Sequence, residues 1–357
     1  MVLSASSVTS IESNGTTYGI FLKQVLFFII GLALLFYGTY LKPALWERLA
    51  KLAFPIGVGA LLLPIAIGKT INGNKSWIGF GSLTIQPSEF AKFALILWCA
   101  LQLRRHHEDL DSGEYSNPLW TLLGGAVIYI GLIMAGKDLG TAGIVAVIAF
   151  SMIYLSGLDA KFVSGVVGVG FSGLLILAIT APNRLRRFKA VLNPFDPAVY
   201  KFAGWQPAHS QMALASGGFL GVGLGASKQK WANLSEAHTD FIFSVIGEEL
   251  GLVGTIAVVI LYAVLLFAIF RTAINTRDLF AKYAVTGIGC WLIIQVVVNL
   301  CTDVGLFPVI GVTLPFISYG GSSLIANLLG IGFVLNVCRR DPAVREATRL
   351  TGRKSVE

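Results

Sequence analysis

The chain has 357 residues, 55% of them hydrophobic and only 13% charged, with a mean hydropathy of +0.74. That composition excludes a soluble domain of this length, because repeated apolar runs near 20 residues are what bilayer-spanning helices require. The formal net charge of +8 suits a polyanion binder or a membrane protein with one basic side, and its distribution decides between them.

Nine full spans are predicted, at 20–41, 49–68, 83–103, 117–136, 138–157, 160–182, 241–268, 281–301 and 318–338. The expected fold is an all-α, polytopic integral membrane bundle: a single domain over 1–357 with one large loop at 183–240. Lys42, Arg48, Lys51, Arg104, Arg105, Lys161, Arg271, Arg277 and Lys282 fall on one side, with the basic tail from Arg339 to Lys354. By the positive-inside rule that side is cytoplasmic, including the C-terminus. Topology thus accounts for the charge, and nucleic acid is not an expected partner. Nine spans place residue 1 outside, yet the first 22 residues carry no Lys or Arg and so lack the basic start of a signal peptide. The opening eight residues therefore read as the outer end of a further, earlier span. Forty glycines suit close helix packing in lipid. Cys99, Cys290, Cys301 and Cys338 have unrelated spacings and suggest neither a disulfide framework nor a metal site.

Charged residues inside apolar sequence are rare and mark working or pairing positions. Glu89 and Lys92 stand i,i+3 on one helix face and can pair, which fixes register more than it stabilises; contact with substrate is the alternative. Asp138 either stabilises the start of its span or lines an outer cavity. The loop 183–240 carries Arg184, Arg186, Arg187, Lys189, Lys201, Lys228 and Lys230 on the outer side. A loop this long can escape the charge rule. The functional alternative is a basic patch for an anionic lipid headgroup or a pyrophosphate, since arginines fork onto phosphate oxygens. Within the loop, 211–224 is apolar and glycine-rich and reads as half-buried or re-entrant. Gly218-Phe-Leu-Gly-Val-Gly-Leu-Gly225 has no βαβ unit around it, so close packing is expected there and not nucleotide binding.

Leu234-Ser-Glu-Ala-His-Thr-Asp-Phe-Ile-Phe243 places Asp240 where this loop enters a span. Asp240 is either a reactive carboxylate or, with Thr239, a cap for the following helix. His238 either orients Asp240 or contacts phosphate, unless it is a hydrogen-bonded surface group. On one continuous helix Glu248 lies about 80° round from Asp240 and Glu249 about 180°, ~12–14 Å deeper. Glu248 is thus the better second acid, Glu249 the one expected to pack against a polar partner, and structural pairing is open to both. Residues 314–323, with Ser318 and Gly320, read as an irregular outer turn that shapes the same cavity.

Taken in order, these motifs resemble the SEDS family (shape, elongation, division and sporulation proteins). The resemblance rests on Gln86-Pro-Ser-Glu-Phe-Ala-Lys92, Asp138-Leu-Gly-Thr141, Arg184-Leu-Arg-Arg-Phe188, Asn193-Pro-Phe-Asp-Pro197, Gln206 and Ser210. It continues through the glycine run, Lys230, His238-Thr-Asp-Phe-Ile-Phe-Ser-Val-Ile-Gly-Glu-Glu-Leu-Gly251 and Leu314-Pro-Phe-Ile-Ser-Tyr-Gly-Gly-Ser-Ser323, nearly the whole chain. Division members look nearest and elongation members next. The resemblance implies ten spans and polymerisation of lipid II into peptidoglycan glycan strands beside a class B penicillin-binding protein and other division proteins. It implies Asp240 as general base, with Arg184, Arg186, Arg187, Gln206, Ser210, Lys230, His238, Thr239 and Glu248 as candidate substrate contacts. Glu89, Lys92, Asp138, Glu249, Ser318 and Gly320 fall to structural or cavity-lining roles. A divalent cation, Mg or Mn, is chemically compatible with a leaving pyrophosphate, but one acid and a basic loop assign it no ligands.

The chain departs from the family pattern at Lys75-Ser-Trp77, Lys137, His209, Ser235 and Ile310, which weakens the choice between division and elongation but leaves Asp240 untouched. Two other function classes remain: a lipid II flippase, in which deep acids outweigh Asp240, and a scaffold, in which Asp240 is dispensable.

Overall fold

The computed structural model describes residues 1–346 other than 72, 81–82, 114–116, 156, 158–160, 162–163, 166–167, 169, 171, 174–181 and 232. The main helices among these residues are α1 Val2–Asn14, α2 Gly19–Tyr40, α3 Pro43–Ile67, α4 Pro87–Asp111, α5 Leu119–Ala135, α6 Leu139–Tyr154, α7 Pro182–Leu192, α8 Trp205–Gly217, α9 Ile242–Asn275, α10 Leu279–Asp303 and α11 Gly321–Arg340. Five of them (α2, α3, α9, α10 and α11) are long and apolar enough to cross a membrane, and α5 and α6 are shorter apolar helices. The chain is therefore an integral membrane protein. The span expected at 160–182 falls largely outside the described residues.

One departure from an all-helical chain lies between α3 and α4. Lys69–Ile71, Asn74–Phe80 and Leu83–Ile85 form a three-stranded antiparallel meander, with Phe80 opposite Leu83 and Ile78 opposite Ile85. The span expected from residue 83 thus starts as a strand. Gln86 is extended, and Pro87 occupies the first helical turn, where its missing N–H costs nothing.

The chain forms two compact units. In the unit comprising 29–170, 265–293 and 325–357, α4 is the central element, with Leu95, Ile96 and Ala100 wholly buried. An edge-on Trp46–Phe93 pair and a tilted Phe54–Trp98 pair fill the space beside it. Gly57 and Gly125 are needed there: a β-carbon would fall 1.8 Å from the Tyr129 hydroxyl and 2.3 Å from the Trp98 ring, respectively.

The other unit comprises 1–28, 171–264 and 294–324. Its core joins Phe241, Ile242 and Val245 of the α9 entry with Tyr262, Val296, Val309 and Leu314, and with Ala5 of α1. Here α9 departs from one straight span. Gly251 takes φ 66°, ψ −161°, a conformation that breaks the helix. The glycine run 218–223 clasps the break: Val222 N donates to Glu248 O (2.9 Å), Gly223 N to Glu249 O (3.1 Å) and Leu252 N to Gly218 O (3.0 Å). Backbone freed at membrane depth must find such partners inside the protein. A β-carbon at Gly221 would lie 2.2 Å from Glu249 O, so close packing is what these glycines allow.

Candidate active site

Asp240 sits at the end of a tight turn just before α9. Glu236 adopts φ +60°, unusual for a residue with a side chain. Its carbonyl accepts from the backbone N–H of Thr239 (3.2 Å) and Asp240 (3.1 Å). Three neighbours fix the turn. Ser318 Oγ donates to Thr239 O (2.5 Å), Tyr319 N to His238 O (2.8 Å) and Asn299 Nδ2 to Asp240 O (2.7 Å). Ser318 Oγ in turn accepts from Leu314 N (2.9 Å), so the irregular segment before α11 and the Asp240 turn are one hydrogen-bonded body.

The backbone of Asp240 is thus held firmly, while none of the described residues donates a hydrogen bond to its carboxylate. The group is partly exposed. Desolvation by the surrounding protein raises its pKa from 3.8 to about 7, reinforced by the negative charge of Glu236 and opposed by the positive charge of Arg187. Burial also lowers the pKa of His238, against the pull of Glu236, which favours a neutral imidazole beside Asp240. Its ring faces Tyr319 at 5.5 Å, and its Nδ1 is buried without a partner.

Helix capping, the alternative role for Thr239 and Asp240, is filled by another residue. Asp303 Oδ2 accepts from Ser244 N (2.9 Å) and Ser244 Oγ (3.0 Å) in the first turn of α9. Thr239 Oγ1 is bound instead to Glu236 Oε2 (2.8 Å). Asn299 and Asp303 were missed in the sequence reading. Their signal was two amide or carboxyl side chains one helical turn apart within or just beyond an apolar run, but the predicted span stopped at residue 301.

Among the described basic side chains, Arg187 is turned toward this turn: its Nη1 donates to Val309 O (2.9 Å) and its charge acts on Asp240. Arg186 is exposed and lies over the Phe202 ring at 5.6 Å. The Arg184 side chain lies outside the described residues. Gln206 Nε2 donates to Ser235 Oγ (2.8 Å), and His209 Nδ1 pairs with Gln229 Oε1 (2.8 Å), so both unusual residues of the loop have hydrogen-bonding work. Ser210 is fully buried, bonded to Ser244 Oγ (2.6 Å) and Asp303 O (2.7 Å), and it ties α8 to α9 and α10. Gly320 N donates to Gln24 Oε1 (3.3 Å).

Besides Ser210, two further expected substrate contacts are engaged in the protein's own packing. Glu248 is 1% exposed, and its oxygens are taken by Ser227 Oγ (2.5 Å) and Lys228 N (2.8 Å), so it anchors the loop. The helical projection that favoured it fails because Asp240 lies in a turn before the helix. Lys230 is buried against Glu249 at 3.0 Å, and Ser4 Oγ of α1 donates to Glu249 Oε1 (2.6 Å). The Glu89–Lys92 pair is also closed: 2.8 Å, buried, with the ammonium 5.4 Å from the Trp291 ring centroid. Asp138 caps α6 through Thr141 N (3.1 Å) and Thr141 Oγ1 (2.9 Å), and Gln86 Nε2 reaches it at 3.2 Å. The adjoining cavity, about 20 Å³, has room for about one water. No three His, Cys, Asp or Glu converge among the described residues.

The cell cycle protein family FtsW/RodA/SpoVE matches residues 1–342. The probable peptidoglycan glycosyltransferase FtsW of Coxiella burnetii is 36% identical over 94% of this chain and 91% of its own length. Stage V sporulation protein E of Bacillus subtilis is 36% identical over 95% and 92%. Among solved structures, a chain from work on the structural coordination of polymerization and crosslinking by a peptidoglycan synthase complex superposes with a TM-score of 0.74, at 30% identity and 95% coverage of both chains. The rod shape determining protein RodA of Thermus thermophilus gives 0.66 at 29% identity, over 95% of this chain and 94% of its own. Sequence, fold and the order of motifs agree: the chain belongs to the FtsW/RodA/SpoVE family of cell cycle proteins.

Proposed function

We propose that this protein is a peptidoglycan glycosyltransferase that polymerises lipid II in the cell membrane, and that Asp240 is its general base. The observation that carries the assignment of the base is one carboxylate, on a partly exposed residue and without a hydrogen-bond donor among the described residues, on a turn whose backbone is pinned from three directions. Its pKa of about 7 lets it hold or release a proton near neutrality, where a general base works best. A sugar hydroxyl would lose its proton to Asp240 as its oxygen attacks the anomeric carbon of the neighbouring lipid-linked sugar. The anomeric C–O bond breaks and the electron pair leaves with the polyprenyl pyrophosphate. Arg187 and the flanking basic residues of α7 supply charge that the departing phosphates need.

In this reading the loop 183–240 faces outward and the basic C-terminal tail faces the cytoplasm. A class B penicillin-binding protein crosslinks the strands, other division proteins attend, and the site of action is the division septum. The FtsW names of the relatives favour division, and the RodA likeness keeps an elongation role as the alternative. The flippase reading has the α9 break at Gly251 in its favour, since transporters use broken helices. Here, however, the break is filled by the glycine run.

The test supplies lipid II to the purified full chain with a class B partner and follows strand formation on gels, for wild type and Asp240→Asn. Strands from wild type alone, with both proteins folded, support the assignment. Equal activity removes Asp240 as the base. No strands from either, with lipid II crossing vesicle membranes, turns the reading to a flippase.

A further inference from the structure

On α7, Leu185, Phe188, Lys189 and Leu192 recur at i, i+3, i+4 and i+7 and share one face. With Phe307 and Pro308 they line an open groove of about 400 Å³, within the range of sites that hold small molecules. Apart from Lys189 these six residues are apolar. Leu192 is 88% exposed, and Phe307 43%.

Charge and continuity say what belongs in the groove. α7 carries Arg184, Arg186, Arg187 and Lys189 and no acid, so whatever lies along it is rewarded for negative charge beside an apolar body. The wall formed by Phe307 and Pro308 leads directly to the proposed base. Val309, the next residue, offers its carbonyl to Arg187 at 2.9 Å. Two residues on, Gly311 is so close that a β-carbon there would stand 3.6 Å from Asp240 Oδ2. Phe307 to Gly311 is four residues, at most ~14 Å of extended chain. Along this one segment the order is apolar groove, arginine, carboxylate.

We propose that the groove seats the polyprenyl chain of the substrate, with its pyrophosphate at Arg187 and Lys189 and its sugar at Asp240. The proposal rests on the polymerase reading and adds to it the place where the lipid lies. Only a lipid whose charge sits between its tail and a reacting sugar would use all three parts in this order.

Leu185 and Leu192 are both exposed, so a Leu185→Asn/Leu192→Asn variant keeps the core intact. Undecaprenyl pyrophosphate and inorganic pyrophosphate are titrated separately into the purified full chain in nanodiscs. Loss of two buried leucine contacts predicts roughly tenfold weaker binding of the polyprenyl ligand, with inorganic pyrophosphate unchanged. Equal polyprenyl affinity in both proteins overturns the proposal, as does a parallel loss for inorganic pyrophosphate. Displacement of the polyprenyl ligand by phosphatidylglycerol at matching concentration also overturns it, because the groove would then accept any anionic lipid. Binding is read without turnover, so groove-dependent binding in a wild type that makes no strands would sink the polymerase reading and leave the groove standing.

Discussion

Two acidic regions lie within nine residues of each other and are built in opposite ways. Around Glu248 and Glu249 the carboxylates are buried and engaged, by Ser227 and Lys228 for the first and by Lys230 and Ser4 for the second. Around Asp240 the backbone takes the hydrogen bonds and the carboxylate takes none from the described residues. A buried acid satisfied by neighbours holds structure, because removing either partner strands a charge. An acid whose backbone is fixed but whose side chain is left without donors is available for chemistry, and it carries the cost in its raised pKa.

The largest expected effect breaks the comparison on the Asp240 side. Asp240→Asn should lower strand formation by ~10²–10⁴-fold, the range of a lost general base, as measured by the gel assay on folded protein. Its stability should move the other way. The folded pKa is raised from 3.8 to about 7, so the native state binds a proton that the unfolded chain releases in that window. The stability this contributes is present below pH 3.8 and is lost as pH rises through about 7. Above pH 7 the neutral Asp240→Asn variant should therefore unfold at a higher temperature than wild type, read by thermal denaturation in detergent.

Next comes Lys230→Met, which leaves Glu249 buried without its cation and should destabilise by ~3–5 kcal/mol. Lys230→Met/Glu249→Leu should recover most of that in the same melts. Per folded molecule, neither variant should lose strand formation. A loss in both, beyond the loss of folded protein, would place this pair in the chemistry and erase the contrast.

The smallest effects sharpen the electrostatics of the turn. Wild-type activity should rise with pH through about 7 as Asp240 loses its proton. Glu236→Gln removes a charge that raises this pKa, so the acidic limb should shift to lower pH by a fraction of a unit. Arg187→Gln removes the opposing charge and should shift it upward, together with weaker substrate binding. Initial rates between pH 5.5 and 8.5 would read both, and limbs that coincide with wild type would remove these two residues from the environment of Asp240.

Much of this was legible along the chain. Most helices lie within a few residues of the apolar runs that announced them, and the Glu89–Lys92 pair followed from i,i+3 spacing alone. The short sheet at 69–85 was missed because its strands are brief and lie beside a long apolar pattern. The break at Gly251 was missed because a glycine inside an apolar run reads equally as helix packing. Whether its φ is positive depends on the glycine run 218–223 arriving from elsewhere to bind the freed carbonyls.

Asp240 was singled out by its motif and by the family resemblance. Membrane class, the run of apolar segments and the charge asymmetry were determined by the sequence itself, because hydropathy and basic-residue distribution are properties of neighbours along the chain. The fate of each acid was not. Ser4 meets Glu249, Asp303 caps α9 at Ser244, and Val309 receives Arg187 across separations of 245, 59 and 122 residues. Only the tertiary structure decides such meetings, since a carboxylate's role depends on which donors surround it, and these donors come from distant turns of the chain.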